Sequence, residues 1–394
     1  MKYLTILFLI LIQIKCYSFN RDSTLEKKNK VEVFSSLFSS IGSTHLPINF
    51  FNKIYFGGFI EERDKGNSSS ITKTQRSGFE SDMNFRVNIY QDNKEFSGWY
   101  FSIQNKTSIA GKYSQGLYDL IFRGNEELNQ QIPLGNTGFH SRNHQLINFG
   151  KYYKKFSLGL VIGNILQEYN GSFEENDFIN FSDNYKWNLV VNPNISFARN
   201  TSNIFKKNGN SLGLNFSYKD KLKNKNFSYE LGIKNLGLLL LHSNIETINY
   251  DTSFSYSGLS FDQLTNITNL SSEISNGFEP YFSSNRIIST TPFEIKFNMV
   301  HSINNLEIYA GGFHRHNSQY LPKSYMGFNY KSQKKLIYGS HLSYGGYNKF
   351  QWGLNTTYLT EKVNAQIIVQ NWLGLIPSLG RSFGILLNLN WKIR

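Results

Sequence analysis

The sequence predicts an all-β protein whose antiparallel strands close into a transmembrane barrel, with short helices confined to loops, and three observations lead there. From about residue 140 to the C-terminus apolar residues recur at period two, in segments near the length a tilted strand needs to cross a bilayer. Aromatic residues make up 16% of the 394 residues and charged residues only 18%, where a soluble domain averages about a quarter charged. Alanine, the strongest helix former, stands only at Ala110, Ala198, Ala310 and Ala365, whereas Phe, Tyr, Ile, Ser, Thr, Asn and Gly abound, so the material of a helical bundle is missing. The aromatic content equally excludes a disordered chain.

Residues 1–18 read as a secretory signal peptide. Lys2 supplies the positive charge, Leu4 to Ile14 form an apolar run of about eleven residues, and Cys16 and Ser18 put small residues where cleavage between Ser18 and Phe19 requires them. A spanning helix needs about twenty apolar residues. A lipid anchor on Cys16 is the rival reading, opposed by the bulky, charged Lys15 before it. Cleavage leaves 19–394 as a single outer-membrane barrel domain without cysteine, which excludes disulfides, thiol catalysis and cysteine-ligated zinc. The longest later apolar run, Leu236 to Leu241, is interrupted by Gly237, so an exported chain of this kind is either soluble or crosses the membrane with strands.

The strands are read from alternation. Phe156, Leu158, Leu160 and Ile162 alternate with Ser157, Gly159, Val161 and Gly163; Leu212 to Tyr218 and Phe227 to Ile233 repeat the pattern, as do Phe293 to Met299 and Phe350 to Tyr358. The last segment sets Phe383, Ile385, Leu387, Leu389, Trp391 and Ile393 against Gly384, Asn388, Asn390, Lys392 and Arg394. It is similar to the C-terminal assembly signal of outer-membrane barrels, although Arg394 takes the final place, where Phe or Trp is common. A soluble β-sandwich also alternates. Two features favour the membrane: aromatics cluster at segment ends, as in Trp99-Tyr100-Phe101 and Tyr152-Tyr153, and the opposite faces carry Gly, Ser, Asn and isolated charges, as a wet lumen would. The segments Leu236 to Leu241 and Val363 to Val369 alternate poorly.

Short turn signals at Lys154-Lys155, Lys219 to Asn226, Ile303-Asn304-Asn305, Ser332 to Lys335, Gly345 to Lys349 and Thr360-Glu361-Lys362 contrast with long irregular stretches at about 61–77, 108–140, 168–183 and 259–290. Barrels show that asymmetry between their two ends. Two of the long stretches hold helical spacing: Phe261, Leu264, Ile267, Leu270 and Ile274 behind a Ser260/Gln263 capping box, and Leu117 to Leu128. Each is a rim helix or a hatch over the lumen.

Enzyme chemistry leaves no trace. Phosphate loops, dinucleotide fingerprints and HExxH are absent. His314 and His316 share one side of a strand, with His301 or His341 as conceivable neighbours, but two imidazoles without a third ligand are a solvated strand end more often than a metal site. Neither a cofactor nor a catalytic residue is expected. The chain carries 41 Lys and Arg against 28 Asp and Glu, scattered through turns such as Lys219-Asp220-Lys221-Leu222-Lys223, with no aromatic-interleaved basic patch for nucleic acid. Basic residues near a rim would meet lipopolysaccharide or phospholipid headgroups.

Gly116-Leu117-Tyr118-Asp119-Leu120 with Gly124-Asn125, Leu158-Gly159-Leu160, Ile233-Lys234-Asn235-Leu236-Gly237 and Leu321-Pro322 resemble a family of uncharacterised outer-membrane β-barrels of Bacteroidetes, distantly related in architecture to the FadL-type transporters of hydrophobic compounds. Segment counting gives fourteen to sixteen strands, and the resemblance favours about fourteen within a range of twelve to sixteen. The family brings no established activity. Two readings of function follow. One is a non-enzymatic channel or transporter for small molecules, hydrophobic ones among them, with Glu230, Lys234, Glu294 and Lys296 facing the lumen and a hatch near 112–132. The other is a scaffold whose long loops bind a surface protein or a secretion-system partner of the type IX kind.

Overall fold

The computed structural model describes residues 31–67, 70–91, 97–124, 131–181, 187–198, 208–222, 226–249, 252–256, 282–332 and 335–393. The predicted signal peptide with its Ser18/Phe19 cleavage site, and the helix expected at 260–274, lie outside them. In chain order the first elements are β1 (Val31–Ser43), α1 (Ile48–Phe56), β2 (Thr74–Tyr90), β3 (Ser97–Ser114), α2 (Gln115–Arg123), β4 (Gln131–Pro133), β5 (Gly138–Tyr153) and β6 (Phe156–Ser172). Next come β7 (Phe178–Phe181), β8 (Trp187–Val191), β9 (Asn194–Ala198), β10 (Gly209–Lys221), β11 (Phe227–Asn249), β12 (Thr252–Tyr256) and β13 (Phe282–Thr290). The last are β14 (Glu294–Ile303), β15 (Leu306–Arg315), β16 (Leu321–Lys331), β17 (Leu336–Gly346), β18 (Asn348–Leu359), β19 (Val363–Val369) and β20 (Ser382–Ile393).

Fourteen of these strands form one closed antiparallel cylinder, in the order β1, β2, β3, β5, β6, β10, β11, β14 and then β15 through β20, which returns to β1. The seam pairs Val31 with Ile393 and Gly42 with Ser382. No helix among the described residues is long and apolar enough to cross a membrane.

The cylinder is inside out. On β2 and β3 the odd-numbered positions carry exposed Phe79, Phe85, Ile89, Trp99, Ile103 and Ile109, whereas the even-numbered Glu80, Asp82, Asn88, Ser102 and Ser108 point inward and are buried. The same division holds on β5 and β6, with Phe149, Leu158, Leu160 and Ile162 outside and Arg142, His144 and Glu168 inside. An apolar exterior around a polar interior is the arrangement of a barrel that spans a bilayer. At one end Trp99 stacks on Phe149 at 5.3 Å and Phe156 lies 5.0 Å from Tyr218, giving the aromatic girdle that the segment ends predict.

Tight turns close that end. Lys154 and Asn304 take positive φ, 51° each, in two-residue connections, the left-handed residue conformation that tight hairpin turns use. The other end carries the long connections. There β4, β7, β8 and β12 form a separate four-stranded sheet, and Ile132, Leu134, Ile179, Phe181 and Val191 make a core on which Leu117 and Leu120 of α2 pack. The strands run further than their alternation suggests: the stretch read as irregular at 108–140 is strand to Ser114 and again from Gly138, and 61–77 and 168–183 are likewise entered by β2, β6 and β7. α2 covers Gln115–Arg123, a shift of a few residues from the expected helix, with the Ser114 hydroxyl accepting from Leu117 N–H at 3.2 Å as its N-cap.

A bulge explains the poor alternation near Leu236. Below it Phe216 pairs with Ile233 and above it Leu214 pairs with Leu236, so Lys234 and Asn235 together oppose Asn215. Asn235 sits at φ 57°, and its N–H donates to the Asn215 side-chain oxygen at 2.7 Å. Outward positions therefore change from Leu231 to Leu236 and Leu238, while Leu239 and Leu241 turn inward and are buried. Opposite the same bulge the neighbouring strand breaks between β13 and β14, where the Thr291 hydroxyl donates to the Asn235 carbonyl.

Candidate functional site

Near the end that carries the long connections, the lumen is crossed by side chains from opposite walls. Arg315 ends β15 and Glu80 lies on β2; six strands separate them in either direction around the cylinder, so they stand diametrically opposed. The Arg315 guanidinium nevertheless donates to both Glu80 oxygens, Nη2 to Oε2 at 3.2 Å and Nη1 to Oε1. Arg315 Nε also donates to Glu294 Oε1 at 3.1 Å, and Lys106 from β3 donates to the same oxygen. Glu80, Arg315, Glu294 and Lys106 thus form one chain of charges across the barrel. Its centre is shielded from solvent, Glu80 being 4% exposed and Arg315 6%, while Lys106 at its end is partly exposed.

A second group anchors the same level from the side. Arg142 Nε donates to Glu168 Oε1 at 2.6 Å, His144 Nε2 lies 3.0 Å from Glu168 Oε2, and Arg142 Nη1 donates to the Asn317 carbonyl in the turn after β15. Above the ion pairs, the hairpin tip Gly345-Gly346-Tyr347 folds over the mouth. Tyr347 meets Tyr320 edge-on at 5.0 Å, and Tyr320 lies 5.2 Å from the Arg315 guanidinium. Gly78 on β2 makes room for that tip, since a Cβ there would come within 2.6 Å of the Tyr347 ring.

Nearer the tight turns the inner wall carries a different cluster. The Tyr100 ring lies against Gly150 and Gly159, and Arg86 stacks on it at 4.1 Å. A file of amides runs beside it, Asn215 donating to Asn148 at 3.1 Å and Asn148 to Ser102 at 3.0 Å. Between β6 and β11 the inner wall turns apolar, where Ile165, Leu239, Leu241 and Ile245 pack together.

Of the residues named from sequence, Glu294 is the one that joins the ion-pair chain. Lys234 is its register partner on β11, at the bulge; Lys296 pairs with Gly232 and Glu230 with Asn298, on the side of the wall that carries Glu294. His314 and His316 flank Arg315, which points into the lumen; His314 is exposed, His316 stacks on Phe293 at 4.6 Å just past the strand, and His341 belongs to the interior face of β17. Among the described residues no group of three His, Cys, Asp or Glu is placed to hold a metal. α2, within the segment read as a hatch, packs on α1 and on the small sheet; among the described residues the lumen is narrowed by wall side chains. Sequence reading missed Glu80, Lys106, Arg142, Glu168 and Arg315. Their signal was a charged residue at an interior position of an alternating strand, visible as Phe79-Glu80-Ser81-Asp82-Met83 once that strand is recognised.

Neither a protein-family model nor a curated protein matches the chain. Among solved structures it is similar to a Pseudomonas aeruginosa FadL homologue, with 10% identity over 93% of this chain and 91% of that one and a TM-score of 0.41. It is also similar to the P. putida toluene transporter TodX, at 8% identity over 92% and 89% with a TM-score of 0.39. The Ralstonia pickettii toluene transporter TbuX gives 8% identity over 93% and 90%, again with 0.39.

Proposed function

We propose that this barrel is a non-enzymatic channel or transporter for small molecules in a bacterial outer membrane, held closed in this conformation by the Arg315–Glu80 bridge. The observation that carries the reading is the nature of the obstruction. Among the described residues the lumen is blocked by ion-paired side chains from opposite walls, and side chains move without disturbing the strands that hold them. Glu294 would then meet the solute at the block, and Glu230, Lys234 and Lys296 beyond it. The apolar wall at Ile165, Leu239 and Leu241 beside charged groups supports a solute with an apolar part. Residues 1–18 serve as the export signal, 19–394 as the one barrel domain, and phospholipid and lipopolysaccharide as its surroundings.

The test is planar-bilayer conductance with liposome swelling, on the wild type and on a Glu80→Ala/Arg315→Ala double variant that removes both charges of the bridge. Higher conductance and faster solute entry in the variant support a gated channel. A folded barrel impermeable in both forms would overturn it and leave the loops, as a binding scaffold, the better account.

A further inference from the structure

The rim helices are seated on the outside of the barrel. Ser43, Gln75, Ser77 and Tyr113 stand on β1, β2 and β3 at the same outward parity as Phe79 and Ile109, with no register shift between. They hold the rim. Ser43 Oγ accepts from Leu46 N–H at 3.1 Å and from Ser77 Oγ at 2.9 Å, and Ser77 Oγ lies 2.9 Å from the Tyr113 hydroxyl. The Thr44 hydroxyl donates to Gln75 at 2.8 Å, and Gln75 in turn donates to Gln115 of α2 at 2.9 Å. On this base Leu46, Phe50 and Tyr118 form a buried cluster that joins α1 to α2. The N-terminus of α1 is tied to the turn before β20, Ile48 N–H donating to Gly380 O at 2.7 Å and Asn49 N–H to Pro377 O at 2.9 Å.

The level of this rim follows from the strands beneath it. Ile89 pairs with Trp99 and Phe79 with Ile109, so the exposed apolar band runs ten residues along each strand. At about 3.3 Å per residue and a tilt near 40° that is about 25 Å, the height of the apolar band of a membrane barrel. Ser77 and Tyr113 lie just above its upper edge. A soluble-phase rim at that height should end in polar side chains, but Tyr55 is 81% exposed, Phe59 83% and Leu379 70%, with Ile54, Phe56 and Leu375 exposed beside them.

We infer that α1, its Gly57-Gly58-Phe59 extension and the turn at 372–380 form an interfacial anchor, whose exposed apolar side chains enter the headgroup–acyl boundary of the leaflet at the long-connection end. The occupant is lipid because the patch continues the lipid-facing band of the same strands, on the same face and directly above it. Its composition fits: aromatic and aliphatic side chains, with Lys53 drawn back onto Asp64 at 2.6 Å rather than presented outward. This rests on the barrel spanning a membrane, not on its being a channel.

The experiment is site-directed spin labelling in a Cys16→Ser background, reconstituted in phosphatidylcholine–phosphatidylglycerol liposomes, with labels at Phe59 and Leu379 and reference labels at Ile103 in the band and Lys154 in a tight turn. Collision rates with oxygen and with a water-soluble nickel chelate give depth. The expected result is oxygen-rich, nickel-poor signals at Phe59 and Leu379, intermediate between Ile103 and Lys154. Nickel accessibility equal to that of Lys154 overturns the anchor. So does dipolar broadening between labels of two chains, which makes a second copy the occupant. If Ile103 itself is water-exposed, the membrane reading fails instead, and the two failures are thereby told apart. Heat-dependent gel mobility of each labelled protein confirms that the barrel has folded.

Discussion

Arg315 and Glu80 face each other from opposite walls of the cylinder and share two hydrogen bonds in a region closed to solvent. Their neighbours make the bridge a shared one, since Glu294 also accepts from Arg315 and from Lys106. Charges this deep are tolerated only while paired, and removing one member strands the other.

The costs of the two single substitutions at the bridge should therefore sum to more than that of the double one. Glu80→Gln or Arg315→Met alone is expected to destabilise the barrel by roughly 3–5 kcal/mol, and the Glu80→Gln/Arg315→Met pair by less than the sum of the two. Urea unfolding in detergent, followed by heat-modifiable gel mobility, gives all three values. Additive effects would mean the two side chains do not act on one another.

Acid should loosen the rim. His45 is buried edge-on against Tyr118 at 4.8 Å with neither ring nitrogen hydrogen-bonded, and burial, then the Arg381, Arg123 and Lys73 charges, push its pKa down to about 4. Because the folded pKa lies below the ordinary 6.5, stability is full above pH 6.5, falls as pH drops toward 4, and levels off below that. The total loss is on the order of 3 kcal/mol for opening the rim. A nitroxide at Ile54 should gain mobility over that window, and His45→Phe should flatten the response.

The bulge on β11 depends on asparagine. A β-branched residue at φ 57° meets the left-handed penalty of roughly 1–2 kcal/mol that Asn and Gly escape. Asn235→Val should lower the unfolding free energy by that amount and Asn235→Gly by much less. Equal losses would show that the side chain, not the backbone angle, matters there.

Gly150 is a packing requirement. A methyl group at that position would meet both the Leu158 carbonyl oxygen and the Tyr100 ring. Gly150→Ala should cost about 1–3 kcal/mol through overpacking and release Arg86 from the ring. Combining it with Tyr100→Ala should recover part of the loss, measured by the same gel assay; no recovery would place the strain in the backbone contact alone.

What the residues announce and what they conceal divides along sequence distance. Phe156 to Ile162 and Phe383 to Ile393 declare their strands because the pleat forces a period of two on any chain with one face in lipid. The Lys154 and Asn304 turns are local and legible for the same reason. α1 is not: Ile48 to Phe56 is built from Asn, Phe, Ile and Tyr, poor helix formers, and it is held as a helix by Leu46, Tyr118 and the Gly380 carbonyl, contacts that exist only in the folded chain. The small rim sheet escapes because its strands are three to five residues long, too short for periodicity to register. Arg315 was visible only as the residue between two histidines. Nothing near it in the chain names Glu80, and the choice of partner is made by the curvature of the whole sheet.

That choice bears on how the molecule comes together. Glu80 and Arg315 are 235 residues apart in the chain and cannot meet until the sheet has curled far enough to bring opposite walls within reach. A half-curled sheet would hold Glu80, Lys106, Glu294 and Arg315 as separate hydrated charges, each requiring water that the closed lumen expels. Partially rolled forms are therefore penalised twice, by an unpaired strand edge and by unpaired charges, and closure of the β1–β20 seam should be a single late and abrupt event, slow in the manner of contacts with long loops to close.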